Sequence, residues 1–357
     1  MSTIEGAPWL LASEIVLSLP VAQSRKTREK AVTPANSFTM PTLQKPAVPR
    51  PPEAAATPLY SPRGAKLATR VWNSIPDGKS PRAVCLMVPG GGWHSGYFEP
   101  LASVLNQNGF ACASYDPVCM GYSEAEPGTP EGCIHINAFD DYVDDVFAAV
   151  AWTKQQLQGS EDLPIFLIGE SFGGLQVLVA GLASDRVNTT GIELAGVVVM
   201  GAAIAIDPAT LPPKPAIKIL AFLARYFPRV KMPATDFSAT FDDAFGNKAW
   251  AEVARRDPGV QVSPRPTMAA ATAIVATGEH IARSAEAFGV PLLAIHAVRD
   301  CRTMCEAVRQ FVDRSGSQSE GFWIEDTTGH QLLQDRDEVT SRVMEKVASW
   351  LIDKTEA

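Results

Sequence analysis

The sequence contains no run of about 18 consecutive apolar residues, so nothing in it reads as a transmembrane helix. None of its six cysteines (Cys85, Cys112, Cys119, Cys133, Cys301 and Cys305) falls in a C-x-x-C pair. That removes the commonest zinc and dithiol patterns and suits buried or free thiols in a reducing compartment. No G-x-x-x-x-G-K-[ST] phosphate loop is present. Positive charge is in deficit, with 31 Lys and Arg against 39 Asp and Glu and a net charge of -8. A body this acidic repels phosphate backbones, so no nucleic acid is expected as a partner. Histidine is scarce, five residues in 357, which leaves few candidates for any chemistry that needs an imidazole. What is present is a chain 46% apolar and 20% charged, long enough for a large α/β domain with an ample core.

Residues 1–58 differ from the rest. They hold nine of the 28 prolines and six basic against four acidic residues, so the remainder of the chain is the more acidic part. The stretch 44–58, QKPAVPRPPEAAATP, has too little apolar surface to offset its ordering entropy, so residues 1–58 are expected to form a disordered Pro-rich tail. Trp9–Leu19 is apolar and Arg25–Lys30 after it is basic. Glu14 interrupts the run and the basic residues lie on the wrong side for a secretory signal, while Glu5 and Glu14 are unwelcome in a transit peptide. Organelle targeting and contact with a membrane surface both stay open for this tail, and the expected location is the cytoplasm or the periphery of a membrane.

From about residue 66 short apolar runs alternate with helical patterns. Ala83–Val88, Ala111–Tyr115, Leu163–Ile168, Gly196–Met200, Leu292–His296 and Phe322–Ile324 read as strands. Asn137 reads as the cap of a helix carrying Phe139, Val143, Val146, Phe147 and Val150 on one face, and Val339–Leu351 as a closing amphipathic helix. This alternation implies βαβ units around a mainly parallel sheet. The rhythm breaks between Met200 and Leu292, where about 90 residues stand in place of a crossover of about a dozen. Within them Ala216–Phe227 is strongly apolar and bounded by Pro215 and Pro228, and reads as a helical cap over the ligand-binding edge of the sheet. The expected division is a core of residues 59–200 and 290–357 with a cap of residues 201–289.

The strongest chemical signal is Gly169-Glu170-Ser171-Phe172-Gly173, a G-x-S-x-G that an apolar strand runs into and a helix follows. A nucleophile on so sharp a turn needs small residues two before and two after it, and the turn aims the Phe172 amide at an incoming oxyanion. A serine needs a base held by a third group. His330 lies on a loop between the last strand and the last helix, at the same sheet edge as Ser171. His94, in a Gly-rich loop, is its main rival, and His296 is better read as packed. Asp300 follows Leu292–His296 and is the expected orienting acid, with Asp207 a substitute. Ser171, Asp300, His330 is the chain order of an α/β-hydrolase triad. The second oxyanion donor is expected from Pro89-Gly90-Gly91-Gly92-Trp93, at the Gly91 amide or, next, that of Gly92. A dinucleotide-binding glycine loop does not fit, since the spacing and the acidic ribose partner are missing.

These residues resemble the monoacylglycerol lipase branch of the serine α/β-hydrolases, especially its plant lysophospholipase or caffeoylshikimate-esterase-like members. The similarity runs from about Arg63 to Leu351 through RGAKLATRVW, VPGGGWHSGYFEPLA, NGFACASYD, GYSE, FLIGESFGG, VPLLAIHAVRD and GHQLLQDRDEV. The resemblance implies a mainly parallel sheet flanked by helices, with a helical cap between the family's sixth and seventh strands. It also implies a Ser171–Asp300–His330 triad, Gly91 and Phe172 as oxyanion donors, and a cap that admits a single acyl chain. The branch usually has His-Gly where this chain has Pro89-Gly90, and Met where it has Phe172. The implied activity is hydrolysis of a monoacylglycerol- or lysophospholipid-like ester, with no metal or organic cofactor. The substrate is a small lipid or ester, and the cap and the N-terminal tail are the candidates for peripheral membrane contact. The same residues also fit a hydroxycinnamoyl-type small-ester esterase, an acyltransferase, or a non-catalytic protein that binds a hydrophobic ligand.

Overall fold

Runs such as Ala83–Val88, uniformly apolar and bounded by Pro and Gly, form strands buried on both faces, where no polar alternation is needed. In the computed structural model, which describes residues 43, 45–76, 79–157, 162–188, 194–207, 211–232 and 240–356, seven strands make the main sheet. They are β1 (Thr69–Trp72), β2 (Ala83–Val88), β3 (Phe110–Tyr115), β4 (Ile165–Glu170), β5 (Leu194–Met200), β6 (Leu292–Ala297) and β7 (Ser319–Ile324). Their order is β7-β6-β5-β4-β2-β3-β1; β1 is antiparallel to β3 and the other pairs are parallel.

The helices are α1 (Glu99–Gln107), α2 (Asp140–Gln156), α3 (Phe172–Leu182), α4 (Ser184–Asn188), α5 (Lys214–Ala224), α6 (Lys248–Arg256), α7 (Met268–Arg283), α8 (Cys305–Arg314) and α9 (Asp337–Glu356). Side chains alternate along each strand, so β2 sends Val84, Leu86 and Val88 into one core and Ala83, Cys85 and Met87 into another. The first core is closed by Val143 and Val146 of α2, Leu175 of α3, Ile281 of α7 and Phe311 of α8. The second is closed by Leu101 of α1 and by Val343 and Val347 of α9.

The structure departs from the sequence reading in several places. Asn137 does not cap α2: the helix starts at Asp140, and the Asp141 carboxylate instead accepts from the Asn137 and Ala138 amides (both 3.2 Å). The first-turn amides of Asp141 and Tyr142 bond to the Ala138 and Phe139 carbonyls (3.2 and 3.0 Å), so the helix starts without a side-chain cap. The edge strand β1 was not foreseen, because a half-exposed TRVW lacks the apolar run that marks its neighbours. Residues 45–58, expected to be flexible, run along the body: the Thr57 carbonyl accepts from Trp152 Nε1 (2.7 Å) and the Arg50 carbonyl from Arg70. Proline stiffens such a segment beforehand, so fixing it against the core costs less entropy than composition suggests. By its contacts the chain divides into residues 1–37 and 38–357; what was expected of Trp9–Leu19 and Arg25–Lys30 lies outside the described residues.

The described residues between β5 and β6 form three α-helices with different surroundings. α5 begins at Lys214, with Pro215 in its first turn, where a missing N–H costs nothing. It leaves Ile219 and Phe222 exposed. Residues 241–260 form a third apolar cluster, in which Phe241, Phe245, Ala251 and Val260 pack on Trp93 and Tyr97 from the loop after β2. α7 buries Ala270 and Ile281 in the main core and leads back into β6.

Candidate active site

Ser171 stands between β4 and α3 with φ 53° and ψ -114°, one of two non-glycine residues at positive φ among those described. Its surroundings over-determine that strain. The Ser171 amide donates to the Met200 carbonyl (2.8 Å), and its carbonyl accepts from the Ala203 and Leu175 amides (3.0 and 3.2 Å). The glycines are required by space. A Cβ on Gly169 would overlap the Gly173 carbonyl, and one on Gly173 would overlap the carbonyl oxygens of Val88 and Pro89. β4 thus ends against β2 closely enough that Gly90 lies beside the serine, its Cβ position 3.2 Å from Ser171 Cβ.

His330 Nδ1 lies 2.8 Å from Asp300 Oδ2, with both side chains almost fully buried. Asp300 Oδ1 accepts from the Arg302 and Thr303 amides (2.7 and 3.1 Å). Burial works against the Asp300 charge, but the adjoining His330, the nearby His296 and the Arg302 amide outweigh it and hold the carboxyl below its usual range. Burial also pushes the His330 imidazole down, and there Asp300 wins, so the net direction is upward. The ring borders the turn that follows β5: a Cβ on Gly201, the residue after Met200, would sit 3.2 Å from His330 Cε1. Ser171 and His330 therefore flank the Met200–Ala203 turn. Neither Ser171 Oγ nor His330 Nε2 is hydrogen-bonded to another described residue, as in free enzymes whose catalytic contacts close on substrate.

Gly91 is exposed between buried neighbours, and its Cβ position lies 3.6 Å from Phe172 Cβ, so the two backbones stand side by side. Neither amide donates to another described residue, whereas the Gly92 amide is turned to Met120 Sδ (3.4 Å). Phe172 opens α3, whose N-terminus adds a field favourable to negative charge. Its ring points inward, edge-on to Tyr142 and Phe139 (centroids 5.1 and 5.8 Å), and leaves the amide free of its own side chain.

The other sequence candidates lie elsewhere. His94 is buried on Asp257 of the insertion (Nε2 to Oδ2, 2.9 Å), where Tyr97 Oη also donates (3.0 Å), and it accepts from the Gly96 amide. It fastens the glycine loop to the insertion. His296 is fully buried, with Nδ1 2.9 Å from the Ala297 carbonyl and Nε2 3.2 Å from Thr303 Oγ1. Asp207 pairs through its amide with the Arg302 carbonyl (3.3 Å) and is not the partner of His330.

Three features escaped sequence reasoning. Glu170 is buried beside the serine with Oε1 unpartnered among the described residues, and burial pushes its carboxyl up to about 7. The Ala244 carbonyl, in the insertion, accepts both the His330 and Gln331 amides (2.8 Å each). Asp335, also buried, accepts from Thr327 Oγ1 and from the Arg336 amide (2.6 Å each) and so braces the turn before His330. A G-x-S-x-G signals the glutamate's place but not its burial, and no motif announces a carbonyl.

Comparison with known proteins places this geometry. Residues 79–337 match the family Hydrolase_4, serine aminopeptidase S33. The monoglyceride lipase of Homo sapiens is 24% identical over 299 residues, which span 83% of this chain and 90% of that protein. A putative monoglyceride lipase of Schizosaccharomyces pombe is 23% identical over 292 residues, or 81% and 72% of the two chains. Among solved structures, a soluble variant of monoglyceride lipase from Saccharomyces cerevisiae, in complex with a substrate analog, superposes with a TM-score of 0.71 at 19% identity. That match covers 91% of this chain and 99% of the other, and it shows the fold.

Proposed function

The chain belongs to the Hydrolase_4 (serine aminopeptidase S33) family and has the α/β-hydrolase fold, and from that premise we propose that it is a serine ester hydrolase of monoacylglycerol- or lysophospholipid-like substrates. Ser171 attacks the ester carbonyl while His330 takes its proton and returns it to the leaving alcohol. Asp300 fixes the imidazole tautomer and stabilises the imidazolium. The Gly91 and Phe172 amides hold the tetrahedral oxyanion, and water repeats the sequence on the acyl-enzyme. The observation that carries this proposal is the strained serine at a helix N-terminus with a buried Asp–His pair at the same edge. The chemistry calls for no metal or organic cofactor.

The lipid substrate class is supported by the relatives and by the surface of the insertion. Residues 211–232, the first half of the proposed cap, carry five basic residues and no acidic one in a chain of net charge -8. The same stretch exposes Ile219, Phe222, Tyr226, Phe227 and Val230. Exposed apolar residues in a segment rich in Lys and Arg fit peripheral contact with an anionic lipid surface. In the second half, residues 240–267, the Ala244 carbonyl and Asp257 support the base loop and the glycine loop, so that part serves as footing for the site.

The experiment is labelling with a fluorophosphonate probe. Wild type is expected to label, and Ser171→Ala and His330→Ala are not. A folded wild type that stays unlabelled overturns the assignment and leaves a ligand-binding protein. A panel of monoacylglycerols and aryl esters, with an acceptor alcohol added, then separates lipid esters from small esters and hydrolysis from transfer.

A further inference from the structure

The proposed nucleophile, acid and base stand on three separate loops, and one hydroxyl outside the triad reaches the loops of the acid and the base and the turn that holds the nucleophile. Thr303 Oγ1 lies 3.1 Å from the Gly201 carbonyl, 3.2 Å from Asp300 Oδ2, 3.2 Å from His296 Nε2 and 3.5 Å from His330 Nδ1. Gly201 follows the residue whose carbonyl holds the Ser171 amide. The Thr303 backbone is pinned as well: it forms a β-bridge with Ile206, and the next amide, of Met304, donates to the Ala205 carbonyl (2.9 Å). Thr303 is 5% exposed and His296 is fully buried, so water does not share these contacts freely.

Counting donors shows what the hydroxyl adds. An ionised carboxylate has about four lone-pair directions. Asp300 Oδ1 takes the Arg302 and Thr303 amides, and Oδ2 takes His330 Nδ1–H. The Thr303 hydroxyl supplies the fourth donor, and a carboxylate filled on every side has no orientation left to turn to. A hydroxyl has one hydrogen, however, and the Gly201 carbonyl and His296 Nε2 are also within its reach. If His296 keeps its hydrogen on Nδ1, towards the Ala297 carbonyl, its bare Nε2 competes for the hydroxyl hydrogen. The Ala297 carbonyl, 2.9 Å from Nδ1 and an acceptor only, keeps the His296 hydrogen there, so three acceptors face the hydroxyl, and the ionised Asp300, the charged one, makes the strongest bond with it.

We propose that Thr303 is a positioning residue, in a chain in which Thr303 Oγ1–H donates to Asp300 Oδ2 and Asp300 accepts from His330 Nδ1–H. The chain locks the carboxylate, and through it the imidazole, so that Nε2 of His330 faces the serine. It rests on the triad reading of Ser171, Asp300 and His330, but it can be tested apart from turnover.

Two measurements decide it. Nitrogen-15 spectra of the imidazoles, which need no catalysis, are expected to show His330 protonated on Nδ1 and its pH midpoint moved in Thr303→Val; an unmoved midpoint overturns the chain. Kinetics on a soluble p-nitrophenyl ester come second. Thr303→Val keeps the shape and loses the hydroxyl, so kcat and kcat/KM are expected to fall together by about ten- to a hundredfold with KM unchanged, as for loss of a hydrogen bond to a charged group. Thr303→Ser restores them. Wild-type kinetics in Thr303→Val, or a Thr303→Ser as slow as Thr303→Val, overturns the proposal in favour of methyl packing. Should the valine variant not fold, Thr303→Cys, of similar size and a weak donor, takes its place with the same two outcomes. A wild type that hydrolyses no ester refutes the proposed function, while the spectra still judge the hydrogen-bond chain.

Discussion

At the scale of single residues the candidate site is governed by two buried groups pulling on one another. Asp300 raises the His330 pKa above its ordinary 6.5 in spite of burial. A general base must be neutral, so activity is lost as pH falls through that raised value. The acid-side midpoint of kcat/KM is therefore expected above pH 6.5, read from a pH–rate profile on a soluble ester. Asp300→Asn removes the charge that lifts the imidazole and favours the wrong tautomer. Its profile is expected to shift to lower pH, with kcat down by about 10,000-fold, and an unshifted midpoint would detach Asp300 from the base. Phe172 also belongs to this scale: the family position usually holds Met, yet the ring turns into the core against Phe139 and Tyr142. The substitution changes what supports the elbow while the backbone amide keeps the place proposed for an oxyanion donor.

At the scale of elements, the elbow exists because a strand end, a helix start and a neighbouring loop approach more closely than side chains allow. Gly173 is the tightest point, wedged under the Val88 and Pro89 carbonyls. Gly173→Ala forces those backbones apart and is expected to cost about 2 kcal/mol or more, with a lower melting midpoint and loss of fluorophosphonate labelling. Gly289→Ala, which meets nothing within 4 Å at an ordinary φ, is the control and should leave both unchanged. Equal behaviour of the two variants would remove the steric account. The insertion belongs to this scale too. α5 carries exposed apolar residues, while residues 241–260 are anchored by aromatic packing on Trp93 and Tyr97. One sequence interval thus holds a candidate lipid-facing surface and a foundation for two loops of the site.

At the scale of the whole molecule, charge is unevenly spread: net acidity overall, and a short segment with five basic residues and no acidic one. Among the described residues no helix is long and apolar enough to cross a membrane. Contact with lipid would therefore be made by a surface. Phe222 and Phe227 are each 57% exposed, so replacing both with Ser should leave folding and soluble-ester turnover intact. Because a buried Phe side chain contributes about 1.5–3 kcal/mol, the double variant is expected to bind anionic vesicles at least about tenfold more weakly. Co-sedimentation equal to wild type would remove the cap from membrane contact.

The sequence by itself determined what depends on neighbours along the chain. Apolar runs closed by Pro and Gly became the parallel strands, five of the six within two residues of where they were expected and the last starting three residues earlier, at Ser319. The G-x-S-x-G placed Ser171, because a strained turn needs glycines at fixed spacing. That Asp300 and His330 would come together was also legible, since a parallel sheet brings successive strand ends to one edge. Other features depended on groups distant in sequence. His94 was removed from contention by Asp257, 163 positions away. Residues 45–58 gained order from Trp152 and Arg70. Thr303, unremarkable in the sequence, acquired its place only when β5, β6 and the loop of His330 met around its hydroxyl. Local pattern records propensity and sterics, whereas a hydrogen bond across many residues leaves no periodic trace in the chain, so only the tertiary structure could decide it.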